Sequence, residues 1–112
     1  MVAIKNYIPQ RGDIVWLDFD PQTGHEQKGK RPAIVLSPKE YNEKTGLALF
    51  CPITSKIKNY PFEVKIDGEI EGVILSDQIK SLDWRKRKAN YITRVSKKII
   101  TEVQENNHML LF

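Results

Sequence analysis

Short runs of β-branched and aromatic residues recur along most of the chain, separated by polar stretches that contain Gly and Pro. Runs of this kind, bounded by turn residues, are typical of strands. The pattern predicts strands at residues 13–19, 33–37, 47–54, 62–66 and 89–95, and a strand pair within residues 72–82. Segment 38–46 is predicted to be an irregular or helical turn closed by Gly46. Two polar loops, residues 22–32 and 55–61, flank adjacent predicted strands, and such loops often carry function.

The last part of the chain has a helical pattern. Ser96 is a plausible N-cap, and the residues after it place apolar side chains near helical spacing: Ile99, Ile100, Val103, Leu110 and Leu111. Asn106 and Asn107 interrupt this stripe. We expect an amphipathic helix that packs on the sheet or on a second subunit. The predicted fold is therefore mainly β with a C-terminal helix, with the antiparallel sheet strongly bent into a small, partly open barrel.

Length and cysteine content narrow the class of protein further. With 112 residues, the chain is expected to form one domain, residues 1–112, so that catalysis and binding would share it. The single cysteine, Cys51, cannot form an internal disulfide, and the chain shows neither a secretory leader nor an apolar run long enough to span a bilayer. We expect a cytoplasmic protein that does not contact a membrane.

Net charge is only +4, but the charges are unevenly distributed along the chain. The segments 28–58 and 80–98 together hold 15 of the 18 basic residues and only 3 of the 14 acidic ones. If both segments share one surface, that surface is strongly positive. The sequence therefore favours a polyanionic partner, either a nucleic-acid backbone or an acidic peptide.

Candidate chemistry is sparse. His25 and His108 lie far apart, and neither belongs to a spacing typical of metal ligands, so we expect no metal and no cofactor. Cys51 lies within an apolar run and is expected to be a buried hydrophobic residue rather than a nucleophile. What remains is a loop with Glu26, Lys28, Lys30 and Arg31, which we expect to face the strand end that holds Thr54 and Ser55. A carboxylate, a guanidinium and a hydroxyl can assist RNA cleavage by its own 2′-hydroxyl.

Four longer segments, taken together, resemble the MazF/PemK family of toxin endoribonucleases: GDIVWLDFDP, GHEQKGKRPAIVLSP, CPITSKIKNYPFEV and GVILSDQIKSLDWR. The resemblance implies an SH3-like barrel with a C-terminal helix, the MazF/CcdB-like toxin fold. It also implies a homodimer that cleaves single-stranded mRNA to 2′,3′-cyclic phosphate and 5′-hydroxyl ends. An acidic, MazE-like antitoxin would neutralise it. Similarity to members that cut at ACA suggests that triplet.

The resemblance also implies site residues. The family's catalytic arginine falls on Arg31 in the run GKRP, its threonine on Thr54 in PITS, and its loop glutamate on Glu26. Arg31 suits stabilisation of the phosphorane, and Thr54 suits donation to a nonbridging oxygen. Glu26 would be either the base, as the only nearby carboxylate in the pattern, or an ion-pair partner that orients Arg31. Lys30 stands where some relatives have His, which removes that His from the mechanism.

RNA recognition needs aromatic platforms, base-edge readers and phosphate contacts. The candidate RNA-binding residues are Phe19, Lys28, Lys30, Ser55, Lys56, Lys58, Gln78 and Lys80. Ser55 replaces a second Thr of some relatives, which could alter base choice. Trp16, Trp84 and Tyr60 are assigned to the core or an interface, and the basic run 85–88 is either a further contact or a solvated edge.

Two other functions remain open from the sequence. A CcdB-like gyrase poison shares the fold, and a noncatalytic RNA-binding barrel would share the basic segments. The GKRP loop together with Thr54 favours the nuclease.

Overall fold

The computed structural model describes residues 6–19 and 29–112. Seven strands and two helices follow in the order β1 (Asp13–Asp18), β2 (Lys30–Val35), α1 (Lys39–Thr45), β3 (Leu47–Thr54), β4 (Glu63–Ile66), β5 (Gly72–Leu75), β6 (Lys80–Asp83), β7 (Asn90–Arg94) and α2 (Lys97–Leu111). The prediction of a mainly β fold with a C-terminal helix is confirmed. No helix in these two ranges is long and apolar enough to cross a membrane.

The sheet is antiparallel and runs in the order β4-β5-β3-β2-β1-β7. β3 is its central strand, since it pairs with β2, with β5 and, along its first half, with β6. Because β3 pairs with three strands, it bends along its length, and the sheet curls into a half-barrel. Strands that follow one another in the chain pair at two places in this order: β1 with β2 and β4 with β5.

Apolar side chains alternate along the strands and form two cores. One is made by Ile14, Ile34, Leu36, Cys51, Ile53, Val64, Ile74, Ile99 and Val103, so α2 covers this face of the sheet. The other is made by Val15, Leu17, Ala33, Val35, Ala48, Phe50 and Trp84. Because successive residues of a strand point to opposite faces, a strand between two cores has to be apolar throughout, as β1 largely is.

The predicted helix ends are confirmed. Ser96 caps α2, where its side chain accepts from the backbone N–H of Ile99 at 3.3 Å. Gly46 ends α1 in the left-handed conformation at a φ of 73°. Asn106 and Asn107 do not break α2, because their amide nitrogens donate to the side chain and the carbonyl of Ser76, at 2.9 and 2.7 Å. The two polar residues in the stripe thus fix the helix to the turn after β5.

β2 differs from its prediction. It begins at Lys30 rather than Ala33, because Lys30 and Arg31 pair with Asp18 and Leu17 of β1. Polar side chains hid this extension from the hydrophobic pattern. The catalytic candidate Arg31 therefore lies on a strand and not in a loop.

Candidate active site

Arg31 and Thr54 lie where β2 and β3 separate. The β2–β3 ladder ends at Ala33 and Pro52, and the next residue of β2, Pro32, has no backbone N–H to continue it. The last residues of β3 pair with β5. Continued by two residues, the β2–β3 register would set Arg31 directly opposite Thr54. The sheet therefore opens into a cleft between these two side chains.

We call this opening the Arg31–Thr54 cleft. It has a volume of about 410 Å³ and is lined by Trp16, Arg31, Pro32, Ile53, Thr54, Ser55, Lys56, Glu69, Ile70 and Glu71. This size is within the range of small-ligand sites, roughly 300 to 1,000 Å³. Four of the predicted site residues, Arg31, Thr54, Ser55 and Lys56, thus meet in one place.

Thr54 is held so that its hydroxyl proton stays available. The backbone N–H of Lys56 donates to Thr54 Oγ1 at 3.1 Å, which occupies an acceptor position of that oxygen. A hydroxyl has one donor and two acceptor positions. The O–H of Thr54 can therefore donate to an anion in the cleft. Arg31 is exposed, and the described residues supply no hydrogen bond or ion pair to its side chain.

The loop between β3 and β4 has a defined structure. The carboxylate of Glu63 accepts from the backbone N–H groups of Lys58 and Asn59, at 3.0 and 2.9 Å. Asn59 adopts a φ of 60°, which Asn tolerates better than most residues. The hydroxyl of Tyr60 donates to Asp77 Oδ2 at 2.7 Å, and this hydrogen bond is the main cause that raises the pKa of Tyr60. The exposed Lys56 and Lys58 thus extend from a loop that these hydrogen bonds hold in place.

The other predicted RNA-binding residues are placed differently. Lys30 is exposed beside Arg31, and Phe19 is half-buried against the Trp84 core. Gln78 and Lys80 are exposed around the start of β6 but do not line the Arg31–Thr54 cleft. Glu26 and Lys28 lie outside the described residues, as does His25.

Three cleft residues were missed or misplaced by the sequence analysis. Trp16 was assigned to the core or an interface, yet it is 39% exposed and lines the cleft. The expectation that Glu26 is the only carboxylate near Arg31 is wrong, because Glu69 and Glu71 of the β4–β5 loop line the same cleft. Their position depends on the pairing of β3 with β5, which no local pattern reveals.

Other candidate residues have structural roles. Cys51 is buried, and burial raises the pKa of its thiol to about 12, so it is a poor nucleophile. Trp84 belongs to the core at 7% exposure, as predicted, and its Nε1–H donates to Asn42 O at 2.9 Å. Across the described ranges, no group of His, Cys, Asp and Glu is arranged to hold a metal ion.

Comparison with known proteins extends this picture. A family model described as "PemK-like, MazF-like toxin of type II toxin-antitoxin system" matches residues 10–109. The chain is 54% identical over 87 residues to the endoribonuclease toxin MazF of Escherichia coli, which covers 77% of this chain and 78% of that protein. It is 34% identical over 100 residues to the endoribonuclease PemK of Escherichia coli, which covers 84% of this chain and 75% of that protein.

Solved structures agree with this comparison. MazF from Deinococcus radiodurans matches with a TM-score of 0.85 and 47% identity, over 95% of this chain and 98% of that one. The MazF chain of a MazE–MazF complex from the same organism matches with a TM-score of 0.85 and 42% identity, over 95% and 97%.

Proposed function

This chain belongs to the PemK-like, MazF-like family of type II toxin–antitoxin toxins, and we propose that it cuts single-stranded RNA in the Arg31–Thr54 cleft. It is an endoribonuclease toxin, like the relatives named MazF and PemK. The observation that carries the assignment of the site is the divergence of β2 and β3, which brings a guanidinium and a hydroxyl donor to one opening.

The chemistry uses the 2′-hydroxyl of the RNA as the nucleophile. Its attack on the adjacent phosphorus forms a 2′,3′-cyclic phosphate and releases a 5′-hydroxyl. Arg31 binds two oxygens of the phosphate with its planar donors and stabilises the dianionic phosphorane, while the Thr54 hydroxyl donates a hydrogen bond to a nonbridging oxygen. Neither role needs a metal ion, and we propose a metal-independent reaction. The family resemblance implies that Glu26 is either the base or an ion-pair partner that orients Arg31.

Substrate binding follows from the surroundings of the cleft. Phosphate contacts come from Lys56 and Lys58 on the loop between β3 and β4, and from Lys30 beside Arg31. Trp16 offers an exposed indole on which an unpaired base can stack, a mode that requires single-stranded RNA. Ser55, on the cleft wall, offers a hydroxyl for reading a base edge.

Partners are proposed from the relatives and from charge. The Deinococcus radiodurans MazF was solved with MazE, and we infer that an acidic, MazE-like antitoxin neutralises this chain by covering the same cleft and the exposed Lys30, Lys56 and Lys58 around it. We also propose a homodimer, since four consecutive exposed apolar residues, Met109 to Phe112, end α2 and would be covered by pairing. Its mRNA substrate makes the cytoplasm its site of action.

The decisive experiment incubates purified protein with end-labelled single-stranded RNA in excess EDTA and maps the product ends. We expect cleavage at short sites, with cyclic phosphate and 5′-hydroxyl termini. Loss of cutting in EDTA with recovery on adding magnesium would contradict the mechanism. RNA that is bound but never cut would instead indicate a noncatalytic RNA-binding barrel.

A further inference from the structure

The β4–β5 loop forms one wall of the Arg31–Thr54 cleft. Ile70 packs against the core that α2 covers, while Glu69 and Glu71 on either side of it are exposed and line the cleft. The apolar anchor fixes the loop, so its two carboxylates are held at the wall of the site.

The backbone next to Glu71 packs directly against Thr54. The next residue, Gly72, adopts a φ of 139° and approaches Thr54 so closely that a Cβ at this position would lie 2.5 Å from Thr54 O. Only glycine fits such a conformation and such an approach. The β3–β5 register ends at the pair Thr54 and Val73. Continued past that pair, it sets Glu71 opposite Lys56, whose backbone N–H contacts the Thr54 hydroxyl.

Carboxylates are poorly suited to a wall that only binds phosphate, because they repel it. Pairing with a cation would explain them, but neither Glu69 nor Glu71 forms an ion pair with a residue in ranges 6–19 and 29–112. A carboxylate beside Arg31 and Thr54 is suited to one further task in RNA cleavage, which is to accept the proton of the attacking hydroxyl.

We propose that Glu71 is the general base of this enzyme, an inference that rests on the proposed function. A carboxylate oxygen of Glu71 takes the proton of the ribose 2′-hydroxyl as the 2′-oxygen forms its bond to phosphorus. The bond from phosphorus to the 5′-oxygen then breaks, its electron pair stays on that oxygen, and water protonates it. The hydroxide that remains takes the proton back from Glu71. Glu26 is then left to orient Arg31.

The test measures single-turnover cleavage at saturating enzyme across about pH 3.5 to 9, with single-stranded RNA as substrate. In wild type the rate should fall in acid, because protonation removes the base. Glu71→Gln should lower the rate at neutral pH by about 10²-fold or more and abolish this acid limb. Glu71→Asp should keep the limb at a lower plateau, since the carboxylate is retained but displaced. Asp67→Asn, the matched control on the same loop, lies outside the cleft lining and should cut close to the wild-type rate.

A second measurement separates catalysis from binding. An RNA with a 2′-deoxy nucleotide at the cut site cannot react, and Glu71→Gln should bind it as tightly as wild type or more tightly, because a repulsive charge is gone. Near wild-type cleavage by folded Glu71→Gln would overturn the proposal. So would a slow Glu71→Gln variant that retains the acid limb, or a Glu26→Gln variant that loses it. Failure of wild type to cut RNA would overturn the proposed function itself.

Discussion

Two segments, residues 28–58 and 80–98, are both rich in basic residues, but the structure places their charges in different surroundings. In the first, Arg31 and Lys56 line an open cleft. Their side chains have no hydrogen-bond or ion-pair partner among the described residues, so they remain available to a ligand.

In the second segment, the guanidinium groups are used within the protein. Arg87 Nη1 donates to the carbonyls of Asp18 and Phe19, at 3.2 and 2.7 Å, where β1 ends. Arg85 lies over the ring of Trp84 at 4.7 Å. Arg94 forms an ion pair with the buried Asp13 at 2.6 Å. The three arginines of this segment thus have partners within the fold, whereas Lys86 and Lys88 are exposed. Charge density along a sequence therefore does not by itself indicate a binding surface, because the surroundings of each charge in the fold differ.

Arg31→Lys should have the largest effect on cleavage. Lysine keeps the positive charge but loses the planar pair of donors, so single-turnover cleavage should fall by roughly 10²-fold or more. RNA binding should change far less. A folded variant that cuts at the wild-type rate would make Arg31 a binding residue only, and circular dichroism would establish that it is folded.

Thr54→Val should have the next largest effect. It removes one hydroxyl at nearly constant shape, and loss of a single donor to the developing charge should slow cleavage by about 10- to 100-fold. The backbone N–H of Lys56 loses its acceptor, but it is solvent-exposed and water can replace Thr54. Thr54→Ser, which restores the hydroxyl, is the matched control and should recover most of the rate. If Thr54→Ser and Thr54→Val were equally slow, the shape of the side chain and not its hydroxyl would determine the cleavage rate.

Arg94→Ala tests the structural role of the second segment. The side chain of Asp13 is 3% exposed and also accepts from the Tyr7 hydroxyl at 2.6 Å. Because Arg94 itself is half-exposed, solvent screens part of the loss, and we expect the free energy of unfolding to fall by about 1 to 3 kcal/mol. Urea denaturation measures this loss. Lys86→Ala, a truncation in the same segment, should leave stability unchanged, and cleavage by folded Arg94→Ala should match wild type.

The sequence pattern predicted the strands and helices better than it predicted which distant strands pair. The strand at residues 47–54 and the cap at Ser96 are local features, set by alternation and by one hydroxyl, and both are confirmed. The cleft depends on where β3 leaves β2 and meets β5, a long-range pairing that no window contains. That is why Glu71 was missed, although it lines the same cleft as Thr54. Trp16 was missed because a tryptophan in an apolar strand is usually buried.

The smallest effect contrasts two lysines from the two segments. Lys56→Ala removes a cation from the cleft but keeps the backbone N–H that contacts Thr54, so the loop should stay in place. RNA affinity should fall several-fold, and the slope of log affinity against log salt should flatten by about one unit, because one phosphate contact is lost. The cleavage rate of bound RNA should hardly change. Lys86→Ala removes an equal charge from the other segment and should leave the affinity and the slope as in wild type. Fluorescence anisotropy with uncleavable RNA over a salt series measures both. Equal losses from the two variants would mean that net charge alone governs binding, and the distinction between the cleft and the basic run would fail.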